Sequence, residues 1–149
     1  MDILEIERKF LVKKLPDNLQ RYKKQQISQA YVSTSPVVRI RRLDNKYYLT
    51  CKGKGEMVRE EWEIEISKIE YHNLSKKIEG RAINKIRYLI PLENHTAELD
   101  VYSDNLVNLQ TVEVEFPSEE DAMNFTKPDW FGEDVTYDNE YKNSSLCRL

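Results

Sequence analysis

The feature that most constrains the fold is an alternation of charged and apolar residues that returns along most of the chain. In residues 59–66 the odd positions are all charged, and most even positions are apolar. A period of two places successive side chains on opposite faces of a β-strand. Seven such stretches lie in residues 5–10, 38–41, 47–52, 59–66, 85–88, 98–101 and 112–116. The chain is therefore predicted to be mostly β (α+β), with a sheet that carries one charged face.

Short helices are predicted between these strands. Residues 17–26 form a polar stretch, and residues 67–79 begin with the capping-box spacing of Ser67 and Glu70 and end before Gly80. Two more short helices are predicted over residues 117–125 and 139–146. The chain contains no linker or internal repeat, which favours a single domain over residues 1–149.

Charge and composition exclude several classes of protein. One third of the 149 residues are charged, but 23 basic and 26 acidic residues leave a net charge of only −3. This balance argues against a nucleic-acid binder or a membrane-surface binder, which would carry a basic stripe. The sequence has neither a signal peptide nor an apolar run long enough to span a bilayer. Cys51 and Cys147 have no metal-site spacing, and we interpret them as reduced thiols in a cytoplasmic protein.

Histidine chemistry is also disfavoured. His72 and His95 are too few for a histidine zinc site or a Ser-His-Asp relay, and both are predicted to lie on the surface.

The alternation alone leaves open where the charged face points. An antiparallel sheet normally turns its polar face to water. However, Glu61, Glu63 and Glu65 occupy successive positions on one face, although glutamate is a poor strand residue and neighbouring carboxylates repel each other. The alternative is a sheet that closes and encloses its charges, which must then be paired, hydrated or bound to a ligand.

The enclosed face would carry both signs of charge. Its nine acids are Glu5, Glu7, Glu61, Glu63, Glu65, Glu98, Asp100, Glu113 and Glu115, and its seven bases are Lys9, Arg39, Arg41, Lys52, Arg59, Lys85 and Arg87. Arginine and lysine bind phosphate oxygens, and carboxylates bind Mg²⁺ or Mn²⁺ ions that bridge to phosphates. A complex of a metal ion with a polyphosphate is therefore the predicted occupant.

The same residues carry a resemblance to a known family. Glu5-x-Glu7-x-Lys9 resembles the E-x-E-x-K signature of the CYTH family, the triphosphate tunnel metalloenzymes, to which class IV adenylyl cyclases and thiamine triphosphatases also belong. The resemblance continues in order through residues 39–41, 52, 59–63, 85–87, 98–100, 112–116, 130–136 and 141–143. It implies a closed eight-stranded antiparallel β-barrel, a tunnel with a charged interior and a few flanking helices.

The resemblance also implies roles for individual residues. The metal ligands would be Glu5, Glu7, Glu113 and Glu115, and the substrate-binding residues would be Lys9, Arg39, Arg41, Lys52, Arg59, Lys85 and Arg87. Lys9 and Tyr31 match a pair that lies near the reacting end in short bacterial members. Four further carboxylates would bind a second metal, position water or orient the arginines, namely Glu61, Glu63, Glu98 and Asp100. Lys142 would either plug one tunnel mouth or be an ordinary surface lysine.

The implied activity is metal-dependent hydrolysis of inorganic triphosphate, with nucleoside triphosphates as further substrates and Mg²⁺ or Mn²⁺ as the cofactor. A class IV adenylyl cyclase, a thiamine triphosphatase and a non-catalytic polyphosphate-binding module remain alternatives. The expected partner is therefore a small polyphosphate or a nucleoside triphosphate, with no nucleic acid and no membrane. The sequence does not indicate an oligomeric state.

Overall fold

The computed structural model describes residues 3–149, in which nine strands and three α-helices form. The strands are β1 (Ile3–Val12), β2 (Lys23–Thr34), β3 (Val37–Leu43), β4 (Lys46–Lys52), β5 (Val58–Ile66), β6 (Glu79–Pro91), β7 (Thr96–Tyr102), β8 (Gln110–Glu115) and β9 (Phe131–Asp134). The helices are α1 (Lys68–Ser75), α2 (Glu119–Asn124) and α3 (Asn143–Leu146).

Eight of the strands close into an antiparallel barrel. Their order is β5-β4-β3-β2-β6-β7-β8-β1, and β1 also pairs with β5. Strand β1 closes the ring by shifting partner along its length: residues 3–6 pair with β5, whereas residues 7–11 pair with β8. The short strand β9 adds to the far end of β1. The predicted closed eight-stranded barrel is therefore confirmed.

The charged face of the sheet points into the barrel. Side chains that alternate with the charged ones pack outside, where Phe10, Leu99, Val112 and Val114 form a core with α2 and β9. A second outer cluster forms where α1 covers Ile40 and neighbouring residues of β2 to β5. Because the apolar face already has these partners outside, the opposite face is the one enclosed.

The predicted helix over residues 17–26 is wrong. A single 3₁₀ turn occupies Leu19–Arg21, and β2 begins at Lys23. This strand was missed because its inward face carries Gln25, Ile27, Gln29 and Tyr31 rather than charges, so it lacks the alternation of the other strands.

The other helices form near their predicted positions. Helix α1 has the predicted capping box, since Ser67 accepts from the Glu70 amide and the Glu70 carboxylate accepts from the Ser67 amide. It ends at Ser75, before the predicted end. Gly80 is instead the second residue of β6 and has a φ of +67°, and a Cβ there would lie 2.4 Å from the Cys147 carbonyl oxygen. The glycine therefore serves the contact with the C-terminal segment.

The prediction that both histidines lie on the surface holds for His72 but not for His95. The His95 ring packs against Phe116 and Phe125, and its Nε2 lies 2.7 Å from Asp121 Oδ2. This contact joins the β6–β7 turn to α2. Cys51 and Cys147 are free thiols. Among residues 3–149, no helix is long and apolar enough to cross a membrane.

Candidate active site

A charged cavity of about 330 Å³ occupies the interior of the barrel. Fifteen of the sixteen predicted site residues line it, and eight acidic and eight basic residues contribute to its wall. The exception is Asp100, which is fully buried behind the wall. Glu65, which shares the pattern of alternation, is exposed and does not line the cavity. The sequence therefore predicted nearly all of the charged lining.

Three carboxylates converge at one side of the cavity. One oxygen from each of Glu5, Glu7 and Glu115 lies within 4.8 Å of the other two. Glu5 and Glu7 are successive inward residues of β1, and Glu115 lies opposite Glu7 in the β1–β8 pairing. Antiparallel register thus brings together residues more than 100 positions apart. Oxygen ligands at this spacing fit a hard divalent cation such as Mg²⁺ or Mn²⁺.

The fourth predicted metal ligand, Glu113, has different neighbours. It is buried, and its Oε1 lies 3.5 Å from Arg87 Nη2. Burial and the charges of Glu113 and Glu5 raise the pKa of Glu7 well above its usual value. Burial alone would raise the pKa of Glu113 too, but Lys9 and Arg87 outweigh it and hold that pKa well below its usual value. Lys9 and Arg87 thus favour the ionised form of Glu113, whereas burial and like charge favour the protonated form of Glu7.

Burial and like charge also act on Glu115. Its pKa is raised to about 7 by burial and by the nearby carboxylates of Glu98, Glu5, Glu61 and Glu113. Uncompensated negative charge at this side is thus large enough to favour protonation near neutral pH. A bound cation would relieve the same repulsion, so the three carboxylates fit a metal ion electrostatically as well as by spacing.

Five basic side chains cover the opposite wall, on β3, β4 and β6, whereas Lys9 and Arg59 lie among the acidic residues on β1 and β5. Arg39 and Arg41 share Glu63, whose Oε2 lies 3.6 Å from Arg39 Nη2 and 3.5 Å from Arg41 Nη2. Thr50 donates to the same Glu63 oxygen at 2.6 Å and accepts from Arg39 at 3.3 Å. Burial and the charges of Arg39 and Arg87 lower the pKa of Arg41 to about 10. These long ion pairs leave much of the positive charge of this wall uncompensated.

A tighter cluster lies where β6 meets β7. Arg87 binds Asp100 through two hydrogen bonds of 2.8 and 3.0 Å, and Lys85 Nζ lies 2.7 Å from the same carboxylate. Burial would raise the pKa of Asp100, but the charges of Arg87 and Lys85 lower it below its usual value. Burial lowers the pKa of Lys85 to about 8, although Asp100 opposes the shift. Asp100 thus fixes the position of two cations without itself reaching the cavity.

All four carboxylates whose role was left open lie in ion pairs. Glu61 pairs with Lys52 at 3.4 Å, Glu98 with Arg87 at 3.3 Å, and Glu63 and Asp100 with the partners given above. Lys52 also binds Glu5 at 3.0 Å, which links the basic wall to the acidic side. This arrangement matches the orienting alternative for the four carboxylates. Asp100 in particular is too deeply buried to bind an ion in the cavity.

The C-terminal segment covers one end of the barrel. Lys9 Nζ donates to the Tyr141 carbonyl oxygen, and Lys142 Nζ pairs with Glu56 at the cavity wall. Tyr31 lies next to this end, and burial raises the pKa of its hydroxyl. Lys142 is therefore neither a free surface lysine nor isolated in the mouth. No pattern in the sequence indicates its partner Glu56, which lies in the β4–β5 turn outside the alternating stretches.

Comparison with known proteins identifies the family. A family model for the CYTH domain matches residues 4–145. An inorganic triphosphatase of Nitrosomonas europaea is 41% identical over 147 residues, which cover 96% of each chain. An inorganic triphosphatase of Acetivibrio thermocellus is 38% identical over 113 residues, which cover 74% of this chain and 71% of that protein.

The solved structures agree with the sequence comparison. A crystal structure of an inorganic triphosphatase is similar to this chain with a TM-score of 0.72 and 39% identity, over 97% of this chain and 95% of that one. Together with a match to the family model over nearly the whole length, this similarity means that the chain belongs to the CYTH family.

Proposed function

We propose that this protein hydrolyses inorganic triphosphate inside its barrel with the help of Mg²⁺ or Mn²⁺. The observation that carries the proposal is the division of one enclosed cavity into an acidic side, with Glu5, Glu7 and Glu115 within 4.8 Å, and a basic wall. A metal ion and a polyanion need this pair of surfaces together. The names of the relatives given above support the same reaction.

The metal would be held by Glu5, Glu7 and Glu115, with Glu113 behind them. When bound, a divalent ion neutralises phosphate oxygens and lowers the pKa of bound water. The acidic and basic residues in the cavity wall are equal in number, so one such ion makes the cavity positive and favours a polyanion.

The protein's own residues bind and orient the substrate. Arginine and lysine side chains of the basic wall donate to phosphate oxygens and stabilise the charge that develops on them during phosphoryl transfer. Glu61 and Glu63 hold Lys52 and the arginine pair in place, and because both line the cavity, either would accept a proton from a water molecule there. Lys9 and Tyr31 lie at the covered end, where they donate to the terminal phosphate.

The lining of the cavity favours the inorganic substrate. Sixteen of the residues that line it are charged, which suits phosphate oxygens and an ion more than the base of a nucleoside triphosphate. We therefore place nucleoside triphosphates second as substrates, and we place the enzyme in the cytoplasm, where its free cysteines stay reduced.

The purified protein should be tested with tripolyphosphate, ATP and thiamine triphosphate, each with Mg²⁺ or Mn²⁺, and the products should be identified. We expect release of phosphate from tripolyphosphate at a higher kcat/KM than from the other two. Cyclic AMP with pyrophosphate as the main products from ATP would contradict the proposal and indicate a cyclase. Tight binding of tripolyphosphate without turnover of any substrate would indicate a polyphosphate-binding module.

A pH dependence of anion binding follows from the Lys85 site. Because the pKa of Lys85 is lowered to about 8, its charge is present below this pH and lost above it. We expect the affinity for tripolyphosphate in EDTA to fall by up to tenfold per pH unit above about pH 8, measured by calorimetry between pH 7 and 9. In Lys85→Met this part of the pH dependence should be absent. An identical pH profile in both proteins would contradict the assignment of Lys85 to the anion site.

A further inference from the structure

One polar side chain in the barrel is buried without a hydrogen-bond partner. Gln29, an inward residue of β2, is 0% exposed, and neither its Oε1 nor its Nε2 has a partner among residues 3–149. Buried polar groups in folded proteins nearly always have partners, so such a group requires a reason. The residue directly opposite Gln29 on β6 is Ile83, whose apolar side chain cannot form a hydrogen bond with it.

Gln29's other neighbour across the sheet is an arginine of the basic wall. Gln29 lies directly opposite Arg41 on β3, and two residues further Tyr31 lies opposite Arg39. Side chains at such opposite positions have Cβ atoms about 4.5–5.5 Å apart, within reach of each other. The buried Nε atoms of Arg39 and Arg41 also lack hydrogen-bond partners in the described part of the chain. The Nε donors of the two arginines and the Oε1 acceptor of Gln29 thus lie on neighbouring strands, and none of them has a partner among the described residues.

The arginines are not paired with Gln29 because they turn toward Glu63, which holds them only weakly. Their Nη2 atoms lie 3.5 and 3.6 Å from Glu63 Oε2, beyond normal hydrogen-bond distance, and this contact draws them toward β5. A polyanion in the cavity competes with Glu63 for the Nη groups. Once Nη turns to the phosphate, the Nε edge of the guanidinium is free to turn toward β2.

We infer that Gln29 is a positioning residue for the arginine pair, whose Oε1 accepts a hydrogen bond from Arg41 Nε when the polyanion is bound. The bond fixes the guanidinium so that both Nη groups face phosphate oxygens, the geometry in which arginine binds phosphate most strongly. This inference rests on the proposed function.

Gln29→Met tests the inference, because methionine has the same length and no amide. Without ligand, we expect its Tm to equal or exceed that of wild type, since an unpaired buried amide is replaced by an apolar group. We expect its Kd for tripolyphosphate in EDTA to rise about tenfold, the usual scale for a lost hydrogen bond to a charged group. KM should rise with Kd while kcat changes less. The matched control is Gln26→Met, on the exposed face of the same strand.

A second variant tests whether Gln29 acts through Arg41. In an Arg41→Lys background, which lacks the Nε donor, Gln29→Met should weaken binding no further. Additive effects would overturn the inference, as would a Tm of Gln29→Met below that of wild type or an unchanged Kd. These outcomes differ from failure of the proposed function, in which wild type itself would neither bind nor hydrolyse tripolyphosphate.

Discussion

Glu7→Gln is expected to lower the turnover of tripolyphosphate by at least about 100-fold without lowering the Tm of the metal-free protein. The loss follows from the convergence of Glu7 with Glu5 and Glu115, because an amide in place of one carboxylate weakens the binding of a metal ion that contributes several kcal/mol to catalysis. Turnover should be measured by phosphate release at saturating substrate.

The equal or higher Tm that we expect for Glu7→Gln has a separate cause. Burial and the like charges of Glu113 and Glu5 raise the pKa of Glu7 in the folded protein, so the folded state binds a proton that the unfolded state releases above pH 4.5. The free energy of unfolding therefore falls as the pH rises from 4.5 toward the raised pKa of folded Glu7, and a neutral glutamine removes this loss. A variant that is at least as stable but nearly inactive distinguishes a functional carboxylate from a structural one.

The control for this variant is Glu65→Gln on β5, which removes a charge from the same pattern of alternation but outside the cavity. We expect wild-type turnover from it. The stabilisation of the protein by Mn²⁺ gives a second measurement, since a ligand that binds only the folded state raises Tm. Glu7→Gln should lose most of this shift. Retention of both turnover and the Mn²⁺ shift would exclude Glu7 from the metal site.

The strands and their charged face were predictable because the same residues encode both. A charged residue at every second position indicates the strand and the face at once, as in Arg39 and Arg41 on β3 or Lys85 and Arg87 on β6. Closure itself came from the family resemblance, because an open sheet with a solvated charged face has the same period.

Strand β2 shows where this reading of the sequence fails. Its inward residues include two glutamines, an isoleucine and a tyrosine, so both faces mix polar and apolar types. Its pairing with β3 and β6 decides its structure, and pairing between distant segments is not visible in a local pattern. Gln29 was missed for the same reason. The contact of Lys142 with Glu56 likewise depends on how the C-terminal segment crosses the barrel end.

The sequence also did not indicate which charged residues of this face form ion pairs with each other. Alternation places Glu98 and Asp100 on the same face, two residues apart, and assigns them the same candidate roles. The structure separates them: Glu98 lines the cavity, whereas Asp100 is fully buried under Lys85 and Arg87. Cross-strand register and barrel curvature produce this difference, because Asp100 lies directly opposite Arg87 in the β6–β7 pairing.

Asp100→Asn is expected to destabilise the protein by about 3–5 kcal/mol, because it leaves two buried cations without their shared carboxylate. For a chain of this length the change corresponds to a fall in Tm of roughly 6–20 °C, which thermal unfolding in EDTA measures. The effect should depend on pH. Since the folded pKa of Asp100 lies below its usual value of 3.8, its carboxylate stabilises the fold above that pH and ceases to do so as the pH falls through the folded pKa.

Adding Lys85→Met to this variant separates the charge effect from a simple loss of packing. If Asp100 stabilises the fold by compensating Lys85 and Arg87, removal of one cation should restore part of the lost Tm, and the two substitutions should be non-additive. Strictly additive losses would show that Asp100 is a packing residue only. We expect the double variant to recover stability but not tripolyphosphate binding. The barrel would remain intact, but it would lack both Asp100, which orients the cations, and Lys85, which contacts the phosphate.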